Sequence, residues 1–288
     1  MRPLSLIGLF SPAFVFASSE GVKPSATDLF SLGGVPISNS ILTTWIIAAL
    51  IIIGVRLAVG TPKLIPGKGQ GVVEGMAQGL RDALEPIVGK QMIGKTFPLL
   101  CGFFVFILLM NWSGLLPGVG TIKFQTAKGE WLDAIRPANS DLNTTLALSV
   151  LSFVAWTYFV LRYAGFKVLI FDLFGNKANK KEVGMLMWVL LIPIFFAVGG
   201  IEVVSITFRL LSLSFRLFGN VFGGENLIHA LADPKTLGAF ATYVVPALAG
   251  MLEVLVGVIQ AFVFTLLSAV YIGLICNHEG GHDDEHAH

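Results

Sequence analysis

The chain has 288 residues, of which 55% are hydrophobic and only 13% charged, and it carries a formal net charge of +1. A mean hydropathy of +0.79 is far above that of an ordinary soluble domain and places the chain among integral membrane proteins. Near-neutral charge without a basic patch argues against a nucleic-acid partner, and Cys101 and Cys276, lying within or at the end of apolar runs, read as small hydrophobes rather than disulfide or metal ligands.

Residues 1–17 carry Arg2 and an apolar run broken by Pro3 and Pro12, ending in Val15-Phe16-Ala17. This fits a short secretory signal cleaved after Ala17, or an uncleaved apolar arm in the outer interface. Either reading starts the mature chain outside. Residues 18–40 mix Gly, Pro, Ser and Asn as an external loop does, with Ser40 as a cap for the helix that follows.

Ile41 to Val59 is the first span. Behind it comes a Gly- and Pro-containing stretch and an amphipathic run, Val72 to Val88, with Glu74, Arg81, Asp82 and Glu85 on its polar side. Arg56, Lys63, Lys68, Arg81, Lys90 and Lys95 outnumber the acids there, which puts this loop in the cytoplasm. Phe97 to Leu116 is the second span, with Asn111 and Trp112 placed at an interface and Pro117-Gly118 stopping the helix. The charge-balanced residues 117–141 fit the outside. Asp141, Asn143 and Thr144 then bring polar groups to the outer edge of the third span, Leu142 to Tyr163, where Asp141 reads equally as a helix cap. Arg162, Lys167, Lys177, Lys180 and Lys181 mark a second cytoplasmic loop.

Met185 to Leu231 and Leu237 to Ile275 are apolar for so long that, as helices, they would reach roughly 70 and 58 Å. The hydrocarbon core is only ~30 Å thick, so both must tilt steeply. Five crossings return the C-terminus to the cytoplasm, and residues 41–276 form a single all-α membrane domain. In the tail, 277–288, Gly280-Gly281 break any helix that would align His278, His282 and His286 as metal ligands, which leaves a solvated, pH-sensitive segment.

The polar residues inside the last two segments carry the functional reading. Arg209 and Arg216 lie in apolar surroundings with no nearby acid in sequence. Arginine cannot shed its proton, and a charge in lipid costs from about 2.5 to more than 10 kcal/mol, so it must snorkel to an interface, face water or meet an acid. Gly219 and Gly223 form a GxxxG stripe beside Arg216, which lets another helix approach closely. The missing acid therefore belongs to a closely packed partner chain. Glu202, Ser205, Asn220, Glu225 and His229 on the first segment, with Glu253 and Gln260 seven apart on the second, form a polar seam in an apolar body. Such a seam either conducts protons or small cations or merely hydrogen-bonds two helices together.

The stretch SFRLFGNVFGGE, followed by GVIQAFVFTLLSAVY, resembles subunit a of F-type ATP synthases, and LMNWSGLLPG and PANSDLNTTLAL match that family's second and third spans. The resemblance covers most of the chain beyond the first ~40 residues and before the tail. It implies a rotary motor in which Arg216 is the stator arginine facing the carboxylates of a ring of c subunits, with the two tilted helices against that ring. It further implies an outer half-channel lined by Asn220, Glu225 and Glu253, with His229 and Asp141, and an inner one lined by Glu202 and Ser205, with Gln260 close to Arg216. Many members pair a histidine with an acid where this chain has Glu225 and Glu253, so here two like charges share a confined site. The implied partners are the c-ring, b-type peripheral stalk subunits, the remaining synthase subunits and membrane lipid, in a bacterial inner membrane. No cofactor or metal is implied. The chain has no GxxxxGK[ST] nucleotide cradle, so phosphoryl chemistry falls to other subunits. A stand-alone secondary ion transporter is the rival reading, but it would show internal repeats, which are absent. Sodium instead of protons as the coupling ion stays open.

Overall fold

In lipid every backbone polar group must be satisfied within its own segment, and the apolar runs accordingly wind as helices. The computed structural model describes residues 28–32, 35–116, 123–125, 131–133, 136–166, 184–231 and 234–276. The expected N-terminal signal or arm, most of the loop expected in the cytoplasm between the third and fourth spans, and the His-rich tail lie outside these. The helices are α1 (Asn39–Val59), α2 (Lys68–Val88), α3 (Lys90–Ser113), α4 (Leu142–Phe159), α5 (Met185–Leu231) and α6 (Pro234–Cys276). All but α2 are long and apolar enough to cross a membrane.

The starting loops hold more structure than a solvated coil. Strands β1 (Asp28–Leu32) and β2 (Val35–Ser38) pair antiparallel, with Leu32 opposite Val35. The two residues between them in sequence are Gly33-Gly34, a hairpin signal. A second small pair, β3 (Lys123–Gln125) and β4 (Trp131–Asp133), lies in the 117–141 region. The cap of α1 is Ser38, whose hydroxyl accepts from Ile41 N at 3.4 Å. Ser40, expected to cap, lies inside the helix instead, where its hydroxyl is free to reach another element. Helix α3 begins about two turns before the expected Phe97. Gly89, at φ 89°, makes the turn, closing α2 onto Glu85 O at 2.9 Å and accepting from Ile93 N at 3.0 Å to open α3. The third span is α-helical to Phe159 and ends in a wider π-helical turn, Val160–Ala164.

Three apolar clusters hold the bundle. Leu84, Val88, Ile93, Leu100, Phe159 and Ile272 bring α2, α3, α4 and α6 together. Phe103, Ile107, Leu148, Leu217 and Phe264 join α3 to α6 farther along, with Phe103 and Phe264 edge to face at 5.6 Å. Ile47, Met110 and Ala138 seat α1 against α3. Hydroxyl bonds stitch α4 across: Thr145 to Ser214 at 3.1 Å and Ser152 to Ser268 at 2.9 Å. Helix α6 crosses so near its neighbours that a Cβ at Gly257 would touch Asn111 and Trp112 at 3.3 Å, and one at Gly273 would run into Ile87 O. Gly273→Ala should therefore cost about 1–3 kcal/mol through overpacking against rigid backbone. A lowered thermal midpoint of the purified complex checks this, and an unchanged midpoint would show that α2 yields.

The apolar part of α5, Pro193–Ile228, is 36 residues long, and that of α6, Val244–Leu274, is 31. At 1.5 Å per residue these reach roughly 54 and 47 Å, so both fit a bilayer only when strongly tilted. They differ in cover. Only 6% of the most apolar α5 window is buried within the chain, against 44% for α6. Helix α6 is the core of the bundle, and α5 lies across its side with a long face that none of the other described residues covers.

Candidate functional site

The 100° step of a helix splits α5 into two faces. Leu213, Ser214, Leu217 and Val221 are buried against the bundle, whereas Phe215, Arg216, Gly219, Asn220 and Gly223 are exposed. Nothing stands within 4 Å of where a Cβ would sit on Gly219 or Gly223. The glycine stripe therefore packs against no other helix among the described residues and lies open beside Arg216.

The two arginines separate. Arg209 was expected to lack an acid, but its guanidinium lies 3.3 Å from Glu202 Oε1 and 5.1 Å above the Tyr271 ring. Seven residues are two helical turns, so the acid sits on the same face, farther away in sequence than a one-turn search reaches. Arg216 has no ion pair or hydrogen bond among the described residues. Glu202 is thus committed to Arg209, and Ser205 is half-buried one turn farther along α5.

Where α5 meets α6 the polar residues converge. Asn220 Nδ2 donates to Gln260 Oε1 at 2.9 Å, which seats the buried Gln260 one turn from Arg216. Two turns earlier on α6, Glu253 lies over Gly224, where an added Cβ would stand 2.6 Å from its Oε1. Glu225 is next to that glycine, and the two carboxylates are close enough for their charges to repel. Arg136 reaches Glu225 at 4.0 Å, with side chains only 7% and 17% exposed. The backbone at 229 continues α5, but the His229 side chain lies outside the described residues.

Arg136 also ties this group to the entrance of α4. Its Nε donates to Ser140 Oγ at 2.8 Å, within a 3-10 turn, Ala138–Ser140. The following residue, Asp141, is buried and does two things. It caps α4 by accepting from Asn143 N at 3.2 Å, and its other oxygen accepts from Ser40 at 2.9 Å. Ser40 in turn meets Ser38 at 3.0 Å. Both readings of Asp141, cap and polar cluster member, thus describe one carboxylate with two oxygens.

Four contributors escaped the sequence reading: Arg136, Ser40, Asn139 and Asn111. Asn111 was placed at an interface, yet it is buried, donating to Gly257 O at 3.2 Å and accepting from Asn139 Nδ2 at 2.7 Å. The absent side chain at Gly257 is what exposes that carbonyl. Trp112 Nε1 donates to Val254 O at 3.2 Å on the same helix. Arg136 and Asn139 had a signal, since RPANSD packs one cation and three small polar or acidic residues into a turn next to an apolar span. Hydroxyls, amides and carboxylates thus follow one another from Ser38 past Asp141, Arg136 and Glu225 to Glu253, and the series resumes two turns farther along α6 at Gln260, which is bonded to Asn220. It ends one turn short of an arginine on an open face.

The profile of the ATP synthase A chain family matches residues 41–273, which takes in all five spans and every residue just described except those before α1's third residue. The chain belongs to the ATP synthase A chain family. A Moorella thermoacetica protein named ATP synthase subunit a is 32% identical over 252 residues, covering 87% of this chain and 95% of that one. One of the same name from Desulfotalea psychrophila is 31% identical over 235 residues, covering 82% and 83%. ATP synthase subunit a 2 of a Bradyrhizobium species is 29% identical over 250 residues, covering 86% and 93%. As a member of the ATP synthase A chain family, this is a multi-pass membrane subunit of the synthase complex, and Arg216, Glu225, Glu253 and Gln260 all lie in the matched region.

Proposed function

We propose that this subunit is the ion-conducting stator of the synthase, and that Arg216 on the bare face of α5 is its working charge. One observation carries the reading: of the two intramembrane arginines, Arg209 is neutralised within the chain and Arg216 is left open beside an uncovered glycine stripe. An unpaired cation at that depth is tolerable when a partner supplies the acid. A ring of c subunits, each with one carboxylate, fits the face in charge and in the close approach that Gly219 and Gly223 permit.

The polar path from Ser38 to Gln260 is then the outer half-channel, in which Asp141, Glu225 and Glu253 hand a proton toward the ring and Asn220 and Gln260 orient the last step. Arg136 balances Glu225 so that the two carboxylates need not both be neutral. Glu202 and Ser205, on the other side of Arg216, line the inner half-channel. The positive charge between the halves bars a direct crossing, so the ion must ride the ring. The chain itself is non-catalytic, with the b-type stalk and the catalytic subunits completing the assembly. The cation-rich loops face the cytoplasm, with the N-terminus outside a bacterial inner membrane.

Vesicles holding the reconstituted complex should take up protons when given ATP, read by a pH-sensitive dye, at a rate that sodium does not change. Sodium-dependent uptake traced with radioactive sodium would make sodium the coupling ion. Equal transport by vesicles holding this chain alone would overturn the stator role in favour of a stand-alone transporter.

A further inference from the structure

The residues between α1 and α2 have no part in the polar path, yet they are built rigidly around an apolar tip. Gly60, at φ 58°, ends α1 by donating to Arg56 O at 2.9 Å. At the far side of the loop α2 starts directly against the end of α1, since a Cβ on Gly69 would strike Ala58 O. Between these pinned ends, the buried Gln70 grips the backbone of Lys63 twice. Its Oε1 accepts from Lys63 N at 3.2 Å and its Nε2 donates to Lys63 O at 2.9 Å, while also donating to Glu74 at 2.8 Å. Pro62 and Pro66 restrict the remaining backbone. What this clamp holds out is Leu64 and Ile65, 105% and 86% exposed, with Leu57 on the last turns of α1 at 80%.

The charges within the loop itself are all positive, and Glu74, bonded to Gln70, lies in the second turn of α2. Arg56, Lys63 and Lys68 are all exposed, and no acid occurs between Asp28 and Glu74. The first turn of α2, capped by Gly67 without a side-chain bond, adds positive potential at the same end. Depth follows from α1. Its 21 residues span about 31 Å, the thickness of the hydrocarbon core, so the loop emerges at the level of the lipid headgroups. An apolar tip ringed by cations at that level matches a leaflet with anionic phosphates over acyl chains.

We infer that residues 56–68 form an interfacial anchor, in which Leu57, Leu64 and Ile65 enter the leaflet where α1 emerges and Arg56, Lys63 and Lys68 bind the phosphates of anionic phospholipids. The clamp by Gln70 presents the tip already ordered, so little conformational freedom is lost on insertion. The inference rests on α1 crossing the membrane and is independent of the stator role.

The test places an environment-sensitive dye on the cysteine of Leu64→Cys, in a chain with Cys101→Ala and Cys276→Ala, with Gln78→Cys on the exposed side of α2 as the comparison. The whole complex is reconstituted in phosphatidylcholine vesicles with and without phosphatidylglycerol, and retained ATP-driven pumping confirms that the labelled protein is folded. The expected result is several-fold stronger quenching at position 64 than at 78 by lipids carrying a shallow nitroxide, weak quenching by iodide, and a lipid quench that grows with phosphatidylglycerol. Lys63→Gln with Lys68→Gln should remove that growth. Strong iodide quenching at both positions would put the loop in water and overturn the anchor. Shielding from both quenchers would mean a partner protein covers the tip, which overturns it equally. Lipid quenching indifferent to phosphatidylglycerol would overturn the headgroup recognition.

Discussion

Arg216→Ala is expected to abolish ATP-driven proton uptake by the reconstituted complex, whereas Arg209→Ala retains most of it. The physical difference lies in what each charge does in the resting chain. Arg209 is already paired with Glu202 at 3.3 Å and half-exposed, so its loss frees a carboxylate that water can still solvate. Arg216 has nothing to neutralise within the described chain and is available to a carboxylate moving past it. An opposite charge within ~4–6 Å lowers a carboxyl pKa by about 1–3 units, equivalent to a factor of roughly 10 to 1,000 in its ionisation. Without that charge a ring carboxylate would stay protonated through the stator, and a proton could cross without rotation. A pH-sensitive dye measures pumping, and the decay of an imposed gradient without ATP measures the leak. Pumping that survived Arg216→Ala would remove the central charge from the proposed mechanism.

The second large effect is expected at Arg136. Removing one member of a buried ion pair leaves the other charge uncompensated, which costs about 3–5 kcal/mol in well-buried cases. At 4.0 Å the Arg136–Glu225 pair is at the long end, so the lower figure applies. Arg136→Ala should therefore lower the thermal midpoint of the complex by several degrees and strongly reduce pumping. Adding Glu225→Gln removes the stranded charge, and the double variant should recover much of the midpoint without recovering transport, because the carboxylate that carries the proton is gone. The non-additivity is the informative quantity. If the two losses simply add, the residues do not act on each other and the proposed balance of charge in the outer path fails.

The spans were legible because lipid admits few alternatives: an apolar run long enough to cross must be a helix, and the helix ends moved by only a turn or two from their expected positions. Arg216 and Gln260 stood out as candidates for a related reason, since any charge or amide in such a run is costly and asks for a partner. The polar contacts of Asn111, Ser40 and Asn139 were not legible. Each residue sits near a helix end, where a polar side chain ordinarily faces water or caps its own backbone, and only the approach of another element turns it inward. Asn111 is buried because Gly257 brings α6 close enough to offer a carbonyl. Ser40 is freed from capping because Ser38 takes that role, and it then meets Asp141, 101 residues away.

By itself the sequence determined that this is a membrane protein of five helical crossings, with two helices too long to stand upright, one amphipathic helix too polar to cross, and cations where lipid forbids them to be idle. Those conclusions follow from hydropathy, the 1.5 Å rise and the cost of a bare charge, which act locally along the chain. Which arginine is spoken for, which face of α5 is left open and which small polar residues join Glu225, Glu253 and Asp141 into one path were decided only by tertiary structure. A hydrogen bond or an ion pair is effective over a few ångströms, and residues far apart in sequence come within that distance only after the helices have packed.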